Sequence, residues 1–342
     1  MASTPVNRLS RRDFIRGAAG SCAGIAAAGG AADEAEAREN NQISPDAVGL
    51  LFDSTLCVGC KACVTACKIA NDRPLDTPAD KPYLDQTTHL SPAALNVIKM
   101  YSDGTNEVKD RETDGFAFSK HSCMHCVDAS CVSVCPVTAL QKEPKSGVVT
   151  YDKDACIGCR YCVASCAFRI PKFDYDKPFP EIHKCELCRH LWDEGKFSAC
   201  ADACPTGATL YGPVSELKAE IKRRKTLAPG EITQFPRRST ETGELTGKVP
   251  VATYVDHVYG ETEGGGTQML MLSGVPFEKL GLPTLPERSY AAISETIQHT
   301  IYKGLVVPIV ALVGLIFAVR KNAGEDLEGE GLEEHEGEGT GT

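Results

Sequence analysis

Sixteen of the seventeen cysteines fall into four groups of four: Cys57, Cys60, Cys63 and Cys67; Cys123, Cys126, Cys131 and Cys135; Cys156, Cys159, Cys162 and Cys166; and Cys185, Cys188, Cys200 and Cys204. The first and third groups read C-x2-C-x2-C-x3-C, the bacterial run that ligates [4Fe-4S] cubes. Three closely spaced thiolates wrap three irons of one cube, and the fourth, carried further along the chain, serves a second cube. The second group widens one gap to four residues, and the fourth inserts eleven residues between Cys188 and Cys200. Both keep a closing C-x3-C-P, as Cys131-Val-Ser-Val-Cys135-Pro136 and Cys200-Ala-Asp-Ala-Cys204-Pro205. Gly59 and Gly158 lie between the first two ligands of their runs, where a missing side chain lets backbone N–H groups approach the cluster sulfurs.

Zinc ribbons also use C-x2-C pairs, but zinc has no use for a third cysteine two residues on and a fourth leading into proline. A disulfide framework fits such runs less well still. The chain also repeats itself. Phe52-Asp53-Ser-Thr-Leu-Cys57-Val-Gly-Cys60-Lys-Ala-Cys63-Val matches Tyr151-Asp152-Lys-Asp-Ala-Cys156-Ile-Gly-Cys159-Arg-Tyr-Cys162-Val at an offset of 99 residues, one duplicated unit.

Elements must hold these runs in place. Residues 137–151 read as two short strands around Lys145-Ser146-Gly147, the hairpin expected between the halves of a small ferredoxin fold. The expected class is α+β: two pseudo-symmetric ferredoxin-like domains within residues 38–245. The inner motifs, 123–135 and 156–166, are nested inside the outer ones, 57–67 and 185–204.

The two ends carry addresses. Ser10-Arg11-Arg12-Asp13-Phe14-Ile15-Arg16, followed by a weakly apolar Gly/Ala-rich run, reads as a twin-arginine export signal over residues 1–37. Cys22 would leave with it. That route carries folded proteins, so thiols committed to a cofactor in the cytoplasm would cross protected. Residues 304–319 hold no charge, and extension to 301 gives nineteen residues with only Lys303. At about 1.5 Å per residue they reach roughly 28 Å, enough for one transmembrane helix. Arg320 and Lys321 follow directly, which places the exported body outside and the tail, residues 320–342, in the cytoplasm.

Composition narrows the classes further. With 24% charged and 42% hydrophobic residues the chain is an ordinary folded protein. A formal net charge of -10 argues against sequence-independent nucleic-acid binding, which needs a basic face.

These spacings resemble the four-cluster ferredoxin subunits of membrane-bound respiratory oxidoreductases: formate dehydrogenases, molybdopterin reductases and hydrogenase-2-type [NiFe] hydrogenases. The resemblance implies that Cys57, Cys60, Cys63 and Cys204 hold one cluster, and that Cys67, Cys185, Cys188 and Cys200 hold its partner. It likewise implies a third held by Cys123, Cys126, Cys131 and Cys166, and a fourth held by Cys135, Cys156, Cys159 and Cys162. No group lacks a cysteine, so nothing points to a three-iron cluster. An export signal together with a membrane helix is similar to the hydrogenase-2-type subunit, as is the segment 259–283. The implied function is an electron wire through four [4Fe-4S] clusters. It would run between a periplasmic [NiFe] hydrogenase heterodimer and an integral membrane quinone-reactive subunit, on the periplasmic face of the inner membrane. A formate dehydrogenase or other molybdopterin partner is the alternative. The segment 246–298 would serve docking.

Cations crowd the motifs: Lys61, Lys68, Arg160, Arg169, Lys172, Lys184 and Arg189. They are expected to offset cluster charge and raise reduction potential, or to be surface charge. His121, His125, His183 and His190 are expected beside the clusters or at the surface without ligating, and His299 as an interfacial anchor. No nucleophile-base pair or phosphate loop accompanies the motifs, and Gly264-Gly265-Gly266 lacks the setting of a dinucleotide site. The chain is expected to have no catalytic site of its own.

Overall fold

The strand Val48–Asp53 has the sequence VGLLFD with Leu50, Leu51 and Phe52 all buried, so neighbours cover both of its faces. The computed structural model describes residues 38–78 and 85–329. In it this strand pairs antiparallel with Thr209–Pro213 and parallel with Met269–Leu272, setting Leu51 opposite both Leu210 and Leu270. Arg238–Ser239 adds a parallel edge to complete a four-stranded mixed sheet.

Successive strand residues point to opposite faces, and here the two faces meet different material. Leu51, Leu210, Leu270 and Leu272 meet Val214, Leu217 and Ile221 of the helix Val214–Thr226, whose apolar residues recur at helical spacing. Leu50, Phe52, Met269 and Met271 instead pack in a cluster with Cys57, Cys63, Cys123, Cys185, Cys200 and Cys204. The sheet therefore divides a helix-backed core from the cysteine-bearing region.

Smaller elements deliver the motifs. Val97–Ser102 pairs antiparallel with Gly115–His121, which leads directly into Cys123. Leu140–Lys142 and Val149–Tyr151 form the expected antiparallel hairpin, and Lys172–Phe173 pairs with Ile182–His183 just before Cys185. The mixture of helices and strands agrees with the expected class. Residues Glu39–Ile293 form one compact unit. The chain leaves the first outer motif, makes both inner ones and returns: one cluster gathers Cys57, Cys63, Cys123, Cys185, Cys200 and Cys204, and another, with Leu140, Val149 and Ile182, holds Cys162. The segment 246–298 is likewise no appendage in the fold. Its strand Met269–Leu272 is fully buried in the central sheet.

A buried ion network locks the first motif to this sheet. Asp53 ends its strand and accepts from Thr55 N (3.0 Å), turning the chain into the short 3-10 helix Ser54–Leu56 ahead of Cys57. Its other oxygen accepts from Arg224 Nη1 (2.7 Å) and Tyr254 Oη (2.8 Å). Arg224 is fully buried, donates to Glu220 Oε1 at 2.8 Å, and lies over the Phe235 ring at 4.8 Å. Removing one partner of a buried pair strands the other charge. Arg224→Met is expected to cost about 3–5 kcal/mol, measured as a lowered midpoint of urea unfolding; an unchanged midpoint would show the network to be idle.

The helix Tyr290–Gly329 runs for 40 residues with Pro308 inside. Its stretch Tyr290–Phe317 is long and apolar enough to cross a membrane. The helix exceeds the expected span 301–319 at both ends, because extending an existing helix needs no new nucleus, and it continues into the tail as far as Gly329. A second unit comprises, among the described residues, Arg38 and the helix from Ser294 onward. Within it Arg38 Nε donates to Glu295 Oε2 (2.7 Å). The export signal, and residues 330–342 of the tail, lie outside the described residues.

Candidate iron-sulfur sites

Local backbone geometry repeats where the sequence repeats. Gly59 and Gly158 have φ of 68° and 70°, and Lys61 and Arg160 are left-handed at 57° and 63°. Those two residues open the helices Ala62–Ala70 and Tyr161–Ser165, which carry Cys63 and Cys67, and Cys162. At Gly59 a Cβ would also come within 2.4 Å of the Phe118 ring, so only glycine serves there. The second and fourth groups share a different pattern. His125 and Leu187 are left-handed, and the four-residue helices Ser130–Ser133 and Ala199–Asp202 present Cys131 and Cys200.

The structure regroups the cysteines across motifs. One cavity is lined by Cys57, Cys60, Cys63 and Cys204 with Phe52 and Ile98. A second is lined by Cys135, Cys156, Cys159 and Cys162 with Leu140 and Ile182. Cys67 has Cys188 and Cys200 as neighbours, and Cys185 faces all three. Cys126 and Cys131 each face Cys123 and Cys166. Each of these four sets gathers cysteines from two motifs. Three electrostatic pairings between sets order them: Cys63 with Cys200, Cys185 with Cys123, and Cys131 with Cys162. Sets one to four thus adjoin in succession. Among the sixteen, Cys60 in the first and Cys159 in the fourth are exposed.

The donor chemistry fits iron-sulfur cubes. None of the sixteen cysteines is in a disulfide. Burial pushes the thiols of Cys57 and Cys67 up to about 12 and that of Cys63 to about 11. Such thiols become ligands only opposite a cationic group that holds them ionised. N–H donors already point at sulfur: Gly158 N to Cys156 Sγ at 3.4 Å and Leu187 N to Cys185 Sγ at 3.3 Å. Hydrogen bonds of this kind tune cluster potential.

The expected cations divide by environment. Lys68 is buried but paired with Asp85 at 2.8 Å. Lys184 is buried and donates to the Val149 and Cys185 carbonyls. Arg160 stacks over Phe173 and Tyr175 at 5.7 and 5.6 Å, and Arg189 makes an exposed pair with Glu186. Lys61 and Arg169 matter through their left-handed backbone, while Lys172 lies in a strand. Lys120, absent from the expected set, is fully buried, with Cys63, Cys67, Cys185 and Cys200 around it. Burial pulls its pKa down, yet these four neighbours win and hold it above the ordinary value. Its position three residues before Cys123 was the available signal.

The histidines are engaged elsewhere. His125 Nδ1 accepts from Val149 N at 3.1 Å. His183 accepts at Nδ1 from Arg73 and meets Asp174 at Nε2. His190 donates to the Ala70 carbonyl. His121 contacts Ser119 Oγ, and burial lowers its pKa to about 4, leaving it neutral. His299 is exposed on the long helix. Gly264, Gly265 and Gly266 form a positive-φ turn beside Asn40 and Glu261.

Comparison with known proteins agrees with this geometry. The family described as 4Fe-4S dicluster domain matches residues 115–214. The chain is 45% identical over 332 residues to the hydrogenase-2 operon protein HybA of Escherichia coli O157:H7, covering 96% of this chain and all of that protein. It is 30% identical over 268 residues to the formate dehydrogenase-O iron-sulfur subunit of Escherichia coli strain K12, covering 78% of each. Protein NrfC of that strain is 32% identical over 216 residues, covering 63% of this chain and 84% of NrfC.

Proposed function

Because the chain belongs to the same family of 4Fe-4S proteins as the hydrogenase-2 operon protein HybA, we propose that it is the electron-transfer subunit of a membrane-bound hydrogenase. The observation that carries the reading is the succession of four cysteine sets, each drawing ligands from two motifs. Cys57, Cys60, Cys63 and Cys204 hold the first cluster, and Cys67, Cys185, Cys188 and Cys200 the second. Cys123, Cys126, Cys131 and Cys166 hold the third, and Cys135, Cys156, Cys159 and Cys162 the fourth. The motif pairs form two pseudo-symmetric halves around the shared sheet. Each bound cube supplies one-electron redox chemistry.

The protein's own residues do the rest. The sheet and short helices fix the distance between sets. Phe52, Ile98, Leu140 and Ile182 exclude water, and N–H donors set charge at sulfur. The exposed Cys60 and Cys159 put the first and last sets within reach of partners at the surface. Those partners are a [NiFe] catalytic heterodimer and an integral membrane quinone-reactive subunit. The twin-arginine signal delivers the folded chain to the periplasm, where the C-terminal helix anchors it with its tail in the cytoplasm. Nothing in the chain makes or breaks a substrate bond. The formate dehydrogenase reading has the more distant relatives behind it.

Metal analysis of anaerobically purified protein tests the reading. About sixteen iron and sixteen acid-labile sulfide per chain are expected from four four-iron cubes. A colourless, zinc-rich preparation that resists reconstitution with iron and sulfide would overturn it.

A further inference from the structure

Lys120 poses a charge problem. It lies in the strand Gly115–His121, is 0% exposed, and donates from Nζ to Asn96 Oδ1 at 3.2 Å. An ammonium taken out of water without a counter-charge is strongly disfavoured. Lys68 solves this with Asp85, and Lys109 with Asp110 at 2.6 Å. The principal charged neighbours of Lys120 are cysteines instead: Cys63 from the first set, and Cys67, Cys185 and Cys200 from the second. Asn96 holds it there, donating in turn to the Cys63 carbonyl at 3.2 Å.

We propose that Lys120 is the shared counter-cation of the first and second cysteine sets, raising the reduction potentials of both clusters together. This rests on the cluster reading above. Reduction adds one negative charge to a site that is already anionic, and a fixed cation in a low-dielectric interior favours the more negative state. Lys120 faces thiols of two sets, so one charge acts on two centres. The third and fourth sets have other surroundings: Lys142 and Lys184 near the third, and the exposed, ring-stacked Arg160 near the fourth. The lysine is a tuning residue that acts through the clusters.

The test is an anaerobic redox titration of the full-length, cluster-loaded chain, followed by electron paramagnetic resonance, with iron and sulfide measured alongside. Wild-type protein should titrate in four one-electron steps. In Lys120→Met two of the four steps should move down, with the oxidised-to-reduced ratio at a fixed potential rising about tenfold, or about 59 mV for one electron. The other two should stay in place, and Lys120→Arg should restore the pair. If Lys120→Met loses iron, Asn96→Asp decides. It sets a carboxylate against the ammonium, and the same two steps should move down with iron retained. Movement of no step, of one step or of all four overturns the shared-cation role while leaving the wire intact. A wild-type chain without four steps overturns the cluster reading and the proposal with it.

Discussion

In Cys166→Ala the cluster lost is the one bound by Cys123, Cys126 and Cys131, although Cys166 sits in the same run as Cys156, Cys159 and Cys162. Cys126 and Cys131 both face Cys166. Its sulfur is met by the N–H groups of Ile170, Phe168 and Arg169, in the turn after the helix Tyr161–Ser165, and that turn hands it across to the neighbouring set. The expected loss is up to about four irons per chain, one cube of four. The paramagnetic signal altered should match that altered in Cys123→Ala. If Cys166→Ala instead matches Cys156→Ala, the crossover is wrong and each run keeps its own cube.

Ending the chain at Gly304 separates two activities of the assembled complex. The truncation removes residues 305–317 of the apolar stretch Tyr290–Phe317, its most apolar part, and none of the sixteen cysteines. Hydrogen-dependent reduction of a soluble dye is therefore expected to persist in extracts. Hydrogen-dependent quinone reduction in membranes should fall on the order of 10²-fold, the effective concentration lost when a tethered contact becomes bimolecular. The helix contributes position and no chemistry. Undiminished hydrogen-to-quinone activity, with loss of a formate-dependent one, would move the assignment to the formate dehydrogenase type.

What could be read in advance was local. The 99-residue offset in the sequence reappears as matched left-handed residues, Lys61 with Arg160 and Gly59 with Gly158, because backbone geometry within a dozen residues follows from residue type. The hairpin around Lys145-Ser146-Gly147 was legible for the same reason. Long-range pairings were not. Met269–Leu272 is four apolar residues with no periodicity, and its partner begins at Leu50, so a docking segment was the natural reading of 246–298. Lys120 escaped because a lysine in a strand normally marks a wet face. Here both faces of the strand's end are covered. The crossed cysteine sets and a line of four clusters were expectations from the resemblance, whereas the order in which the sets adjoin is read from three-dimensional neighbours.

The parallel pairing of Val48–Asp53 with Met269–Leu272 has a bearing on biogenesis. Synthesis proceeds from the N-terminus at about 5–20 residues per second, and the central strand waits for a partner that emerges more than two hundred residues later. Its antiparallel neighbour, Thr209–Pro213, also follows the last cysteine of the first set. Contacts so distant along the chain form slowly. No early fragment can finish the first cage, because Cys57 waits for Cys204. On the proposed ligand sets the first two cages wait for Cys204 and Cys200, the other two can close once Cys166 has emerged, and the central sheet completes only after every one of these cysteines is in place.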